Sequence, residues 1–189
     1  MVSQSFYPNR AGMSRAQLEV SNTMRRLWME HVLWTRFFIV SSAFNLPDLQ
    51  FVTERLLRNP HDFANELRSL YGQQIAMRFD NLFTSHLTIA AELVNAAKEG
   101  DSTEVEKQRE LWYQNARDIA KFLGSINPFW SERTWREMLF EHLKMTEDEA
   151  VQILTDKYQE SIKQYDSIQA QALSMADLMT YGLIRQFQI

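Results

Sequence analysis

Cysteine is absent from all 189 residues, which excludes disulfides and thiolate metal ligands and fits a reducing compartment. Glycine and proline are scarce, five and four residues. With few breakers and abundant Leu, Met, Ala, Glu and Gln, the composition favours helix throughout. No glycine-rich loop opens a helix, so a phosphate cradle is missing and no nucleotide cofactor is expected. Neither a serine nucleophile elbow nor a cysteine nucleophile is readable. The longest uncharged run lies between Arg36 and Asp48, too short to span a bilayer, and the N-terminus lacks the charged-then-apolar profile of a signal peptide. Charge of one sign is also lacking: the net value is −4 with acids and bases interspersed. That mixture offers no basic stripe to nucleic acid and no polybasic patch to a membrane. The expectation is a soluble cytoplasmic protein.

What is present is helical periodicity over a chain long enough to bury one sizeable core, 45% of it hydrophobic. Residues 1–14, with Pro8 and Gly12, are aperiodic and read as a loose tail. A seam of Val20, Met24, Leu27, His31, Trp34 and Phe38 then steps by three and four, the mark of a helix burying one face. Proline and aspartate at Asn45-Leu46-Pro47-Asp48 close it and open the next helix. That second helix runs to Tyr71-Gly72 with Pro60 inside, where a kink or a break is expected. A third runs from Ile75 to the Gly100 turn, a fourth from Thr103 to Gly124, and a fifth from Ser131. Thr146-Glu147-Asp148-Glu149 has the form of a capping box, so the last stretch reads two ways. It is either one long helix or a hairpin that turns between Asp156 and Ser161, and the hairpin is preferred.

A larger period lies over the small one. Glu30-His31, Ser85-His86 and Glu141-His142 each sit in an apolar seam, and the histidines are 55 and 56 residues apart. Asn59 and Asp62 recur as Asn115 and Asp118 after 56 residues, and Ala176-Asp177 is a weaker third copy. A fixed step of this size means repeated supersecondary units. The expected fold is therefore an all-α, up-and-down bundle of about six helices built from hairpins, with units near 20–72, 75–126 and 131–187 in a single domain over 15–189. In antiparallel hairpins, residues equidistant from a turn share a height. The midpoints of His31–Asp62, Asp62–His86, His86–Asp118 and Asp118–His142 all fall in or beside expected turns. A polar layer thus crosses the bundle, and a third hairpin adds Asp177 to it.

Buried imidazoles and carboxylates cost free energy unless they are partnered, so the layer has two readings. In one, His31, His86 and His142 ligate a single divalent transition metal (zinc, iron, manganese or nickel). Asp62, Asp118 and Asp177 are then further ligands or outer partners, and Asn59 and Asn115 support the rings. Hydrolytic or redox chemistry at the metal would follow, on a small-molecule substrate that the sequence does not define. In the other, the His, Asp and Asn residues satisfy one another and only fix helix register. The chain is then an interaction or structural protein, its Phe6-Tyr7-Pro8 segment or exposed helix faces binding a partner or a second copy in a homodimer. Ferritin-like di-metal chemistry is excluded, since no Glu-x-x-His pair occurs.

At Glu30-His31-Val32-Leu33-Trp34-Thr35-Arg36, Arg55 to Phe63 and Ala176-Asp177, the chain resembles a family of small all-helical bacterial proteins whose activity is not known. Some members are called acetylglutamate kinases. That activity requires a larger α/β domain with a glycine-rich phosphate site, which these residues do not provide. The three-histidine layout also resembles, in architecture, the metal-binding bundle hydrolases of the DinB type, although those place two histidines on one helix. The resemblance implies a compact bacterial protein and carries over no catalytic residue.

Overall fold

The computed structural model describes residues 12–189, so most of the expected N-terminal tail, with Phe6-Tyr7-Pro8, lies outside the described residues. Six helices follow one another: α1 (Arg15–Ala43), α2 (Leu49–Tyr71), α3 (Gln73–Glu99), α4 (Ser102–Ile126), α5 (Glu132–Leu154) and α6 (Tyr158–Phe187). The described residues contain no strand.

Local chemistry sets the ends. Ser14 caps α1 in a full capping box with Gln17. The Asp101 carboxylate accepts from the Thr103 and Glu104 amides at the start of α4, and Ser131 accepts from Thr134 at the start of α5. Gly72 and Gly100 hold φ of 80° and 74°, left-handed values that cost a glycine nothing and that let α2, α3 and α4 follow with minimal linkers. The α5–α6 turn lacks a glycine and instead places Asp156 at φ 61°, conformational space that Asp tolerates better than most residues.

Two sequence ambiguities are resolved. Pro60 neither breaks α2 nor ends it: the helix is continuous from Leu49 to Tyr71. The Thr146 capping signal goes unused, because α5 runs through it and the Thr146 hydroxyl donates to the His142 carbonyl one turn back. The chain turns at Thr155–Lys157, giving the hairpin in preference to the single long helix.

Each helix packs on its neighbours in sequence, and α6 returns to α1. With such short turns, consecutive helices run antiparallel, so α1, α3 and α5 share one direction. Contacts of α1 with α3 and α5, and of α3 with α5, bring these three together on the inside. One tight approach locks the closure. The Trp130 indole donates to the Leu178 carbonyl at 3.2 Å and lies against Gly182, where an added Cβ would meet Nε1 at 1.9 Å. Gly182→Ala should therefore displace Trp130 and destabilise the fold by about 1–3 kcal/mol. Urea unfolding checks this, and an unchanged midpoint would mean that α6 does not close on the α4–α5 corner as described.

Candidate metal centre

The three histidines of the apolar seams meet at the centre. His31, His86 and His142 are 1–2% exposed, and one nitrogen from each lies within 4.8 Å of the other two. Their helices α1, α3 and α5 are the parallel, inward set. The His31 ring centroid is 5.5 Å from that of His142 and 6.1 Å from that of His86.

Each imidazole is served by an amide on the following helix, and the arrangement occurs three times. Asn59 Nδ2 donates to the Leu27 carbonyl at 3.0 Å, Asn115 Nδ2 to Leu82 at 3.0 Å, and Gln171 Nε2 to Met138 at 2.8 Å. In each case the acceptor is four residues before the histidine. Because the Asn115 amide nitrogen is committed to a carbonyl, its oxygen faces the His86 ring as an acceptor. His86 Nδ1 lies 3.1 Å from Asn115 Oδ1, so this nitrogen carries the proton and Nε2 is left with a lone pair. Asn59 and Gln171 lie close enough to His31 and His142 to favour their protonated forms, but no hydrogen bond forms at either: Nδ1 of those two histidines, Asn59 Oδ1 and Gln171 Oε1 are buried without a partner.

Electrostatics reinforce the neutral form. Burial drives the His86 pKa down to about 3 and the His142 pKa to about 4, and lowers that of His31 well below the usual imidazole value. Repulsion from His142 adds to burial at His31 and His86, while the amide oxygens pull all three back slightly. At neutral pH the centre is three uncharged imidazoles, the ligand form.

The aspartates are placed elsewhere. Asp62 pairs with Arg58 at 3.0 Å, Asp118 is exposed and bonded to Gln114, and the buried Asp177 pairs with Arg25 at 2.6 Å. The cluster of possible ligands contains the three histidines and no carboxylate. The physical reason is azimuth: equidistance from a turn fixes height along the bundle and not the direction a residue faces. Asn59 and Asn115 lie in the buried stripes of α2 and α4, while Asp62 and Asp118, three positions on, lie at the edges. In the third hairpin the amide is Gln171, which the sequence reading missed. It stands 56 residues after Asn115, so the period pointed to it, but the change of residue type hid it. Glu30 binds Arg26 and Arg55, and Glu141 is exposed. His61 is exposed against Asp80.

The two sides of the layer differ. On the N-terminal side of the histidines lie Trp28, Phe83 and Leu139, each three residues earlier and fully buried. Phe83 stacks on both His31 (4.9 Å) and His86 (5.6 Å), and the edge of Trp28 meets His31 at 5.7 Å. On the other side, one turn later, stand the smaller Thr35, Ala90 and Thr146. Farther along that side the buried Glu149 pairs with Arg36, which also reaches the Ser161 carbonyl. Burial pushes the Glu149 carboxyl up to about 7 despite that cation.

No family model, curated protein or solved structure matches the chain.

A pH dependence follows. The imidazoles bind protons less readily folded than unfolded, so the stability they confer is intact above the unfolded value of about 6.5. It is lost as pH falls through about 4 for His142 and about 3 for His86. Glu149 acts oppositely between about 7 and its ordinary carboxylate range, because its folded pKa is raised. The metal-free protein should thus lose stability from pH 6.5 to 4, and Glu149→Gln should steepen that loss. Urea midpoints across this range read both effects; a flat profile in wild type and variant alike would contradict the burial of neutral histidines.

Proposed function

We propose that the protein binds one divalent transition metal through His31, His86 and His142, and that a reaction takes place at this metal. The observation that carries the reading is the convergence of three buried, neutral imidazoles to within 4.8 Å. An equilateral triangle of that side has its centre 4.8/√3, about 2.8 Å, from each corner, so modest ring adjustments reach the Zn–N distance of about 2.0–2.1 Å. The Asn115 oxygen on His86 is the kind of outer partner that fixes ring orientation and tautomer in metal sites. With no carboxylate among the ligands, the three histidines leave a coordination position open. A metal held in this way supplies Lewis acidity to a bound water or substrate oxygen, which suits hydrolysis, and iron or manganese would add redox chemistry. Zinc, iron, manganese and nickel all accept imidazole ligands.

The chain's own residues would then do three things. Asn59, Asn115 and Gln171 hold the rings through their carbonyl anchors on the preceding helices. Trp28, Phe83 and Leu139 exclude water from one side. Thr35, Ala90 and Thr146 leave the other side less crowded. The histidine and amide geometry repeated in three successive hairpins also supports an origin from one duplicated unit.

A second reading has its own support: the three amide anchors tie each histidine helix to the next and Asn115 satisfies His86, so the layer would fix helix register without a metal. The two part on metal content. Under the metal reading, protein purified without chelator holds about one transition metal per chain by elemental analysis. His86→Ala then loses it, and Asn115→Ala weakens affinity about 10–100-fold. Absence of metal from the wild type, with none acquired from zinc, iron, manganese or nickel, would leave the structural layer as the account.

A further inference from the structure

A cavity of about 80 Å³ opens one helical turn beyond the histidine layer, between α1, α3, α4 and α5, with Leu56 of α2 also lining it. Its floor includes Thr35, Ala90 and Thr146, each four residues after a histidine and so on the same helix face. Leu87, next to His86, belongs to its wall, as does Trp112, whose ring is 5.3 Å from that of His86. The wall continues through Ile39, Val94 and Ala150 and is almost wholly apolar. Its charged residues are Arg109 and Glu147, which neutralise each other across 3.1 Å.

We infer that this cavity binds a short, uncharged aliphatic molecule of about two carbons, with a single polar end directed at the floor beside the histidines. The size follows from proportion, since an apolar cavity of about 150 Å³ accommodates benzene and one of about 80 Å³ accommodates a molecule of about half that size. Neutrality follows from the wall: an ionic ligand would be desolvated against apolar side chains, with no unpaired counter-charge to receive it. The orientation follows from the floor. The Thr35 and Thr146 hydroxyls donate to the His31 and His142 carbonyls at 2.8 and 2.9 Å, and each oxygen still has acceptor capacity for a ligand hydroxyl or amide. The opposite side of the layer is filled by Trp28, Phe83 and Leu139, so the cavity side is the one from which a ligand can approach the imidazoles. The inference rests on the metal reading for what the ligand's polar end would meet; the cavity itself does not depend on it.

The test uses ethanol as probe, with acetate as the charged comparison, on metal-free full-length protein observed by methyl NMR. Saturable shifts among Leu56, Leu87, Leu93, Val94, Val105 and Val151, which line the cavity, are expected for ethanol and not for acetate. Ala90→Leu, which fills the floor, should weaken ethanol at least tenfold, and Val94→Phe serves the same purpose if that variant does not fold. No saturable shift in the wild type, equal binding by the filled variant, or preference for acetate would each overturn the proposal. A second arm adds ethanethiol to cobalt(II)-loaded protein. A changed cobalt spectrum that Ala90→Leu suppresses while retaining the metal supports the orientation, and an unchanged spectrum with cobalt bound overturns it. Failure to hold cobalt at all counts against the metal reading alone, since the ethanol arm still decides the cavity.

Discussion

A side-chain amide buried between two helices must find an acceptor for its N–H, and in this protein that requirement ties neighbouring helices together three times. Asn59, Asn115 and Gln171 each give their N–H to a carbonyl of the preceding helix, one turn before its histidine. The carbonyl fixes where the amide sits, and at His86 the Asn115 oxygen then fixes which ring nitrogen holds the proton and which keeps a lone pair. Slippage of any helix by one turn would strand all three groups in a medium where an unsatisfied polar group costs about 1–3 kcal/mol. Register and ligand geometry are therefore one constraint.

The same constraint explains the asymmetry along the bundle. A layer of neutral imidazoles can sit beside aromatic rings, and on one side it does, with Phe83 stacked on two of them. Beyond the layer on the other side the side chains shrink, a cavity opens, and charge reappears as Arg36 with Glu149 and Arg109 with Glu147. The core is closed where water would compete for the rings and less crowded where another molecule could reach them.

Much of this was legible in the sequence because it depends on spacing. The 55- and 56-residue steps place His31, His86 and His142 at one height, and the seam periodicity turns all three inward. The helix count follows from the same signals, with Gly72, Gly100 and Pro128 marking turns. Height without azimuth was the weakness: turn spacing says nothing of facing, and Asp62 is half-buried against Arg58, Asp118 is exposed beside Gln114, and Asp177 is buried against Arg25. Gln171 was hidden because the pattern was sought as a residue type, whereas the structure preserves a function, an amide at a fixed reach. The cavity was illegible for a different reason. It is made by what five helices fail to fill, and no local pattern encodes a void.

The central claim is that three imidazoles, and no carboxylate, hold one metal. X-ray absorption at the edge of the metal that elemental analysis identifies in the intact protein tests this most directly. The account predicts three imidazole nitrogens, at about 2.0–2.1 Å if the metal is zinc, with the outer-shell scattering of histidine rings and at most light oxygen ligands besides. A shell of oxygens without imidazole scattering would place the metal elsewhere and leave the histidine layer as a device of register alone.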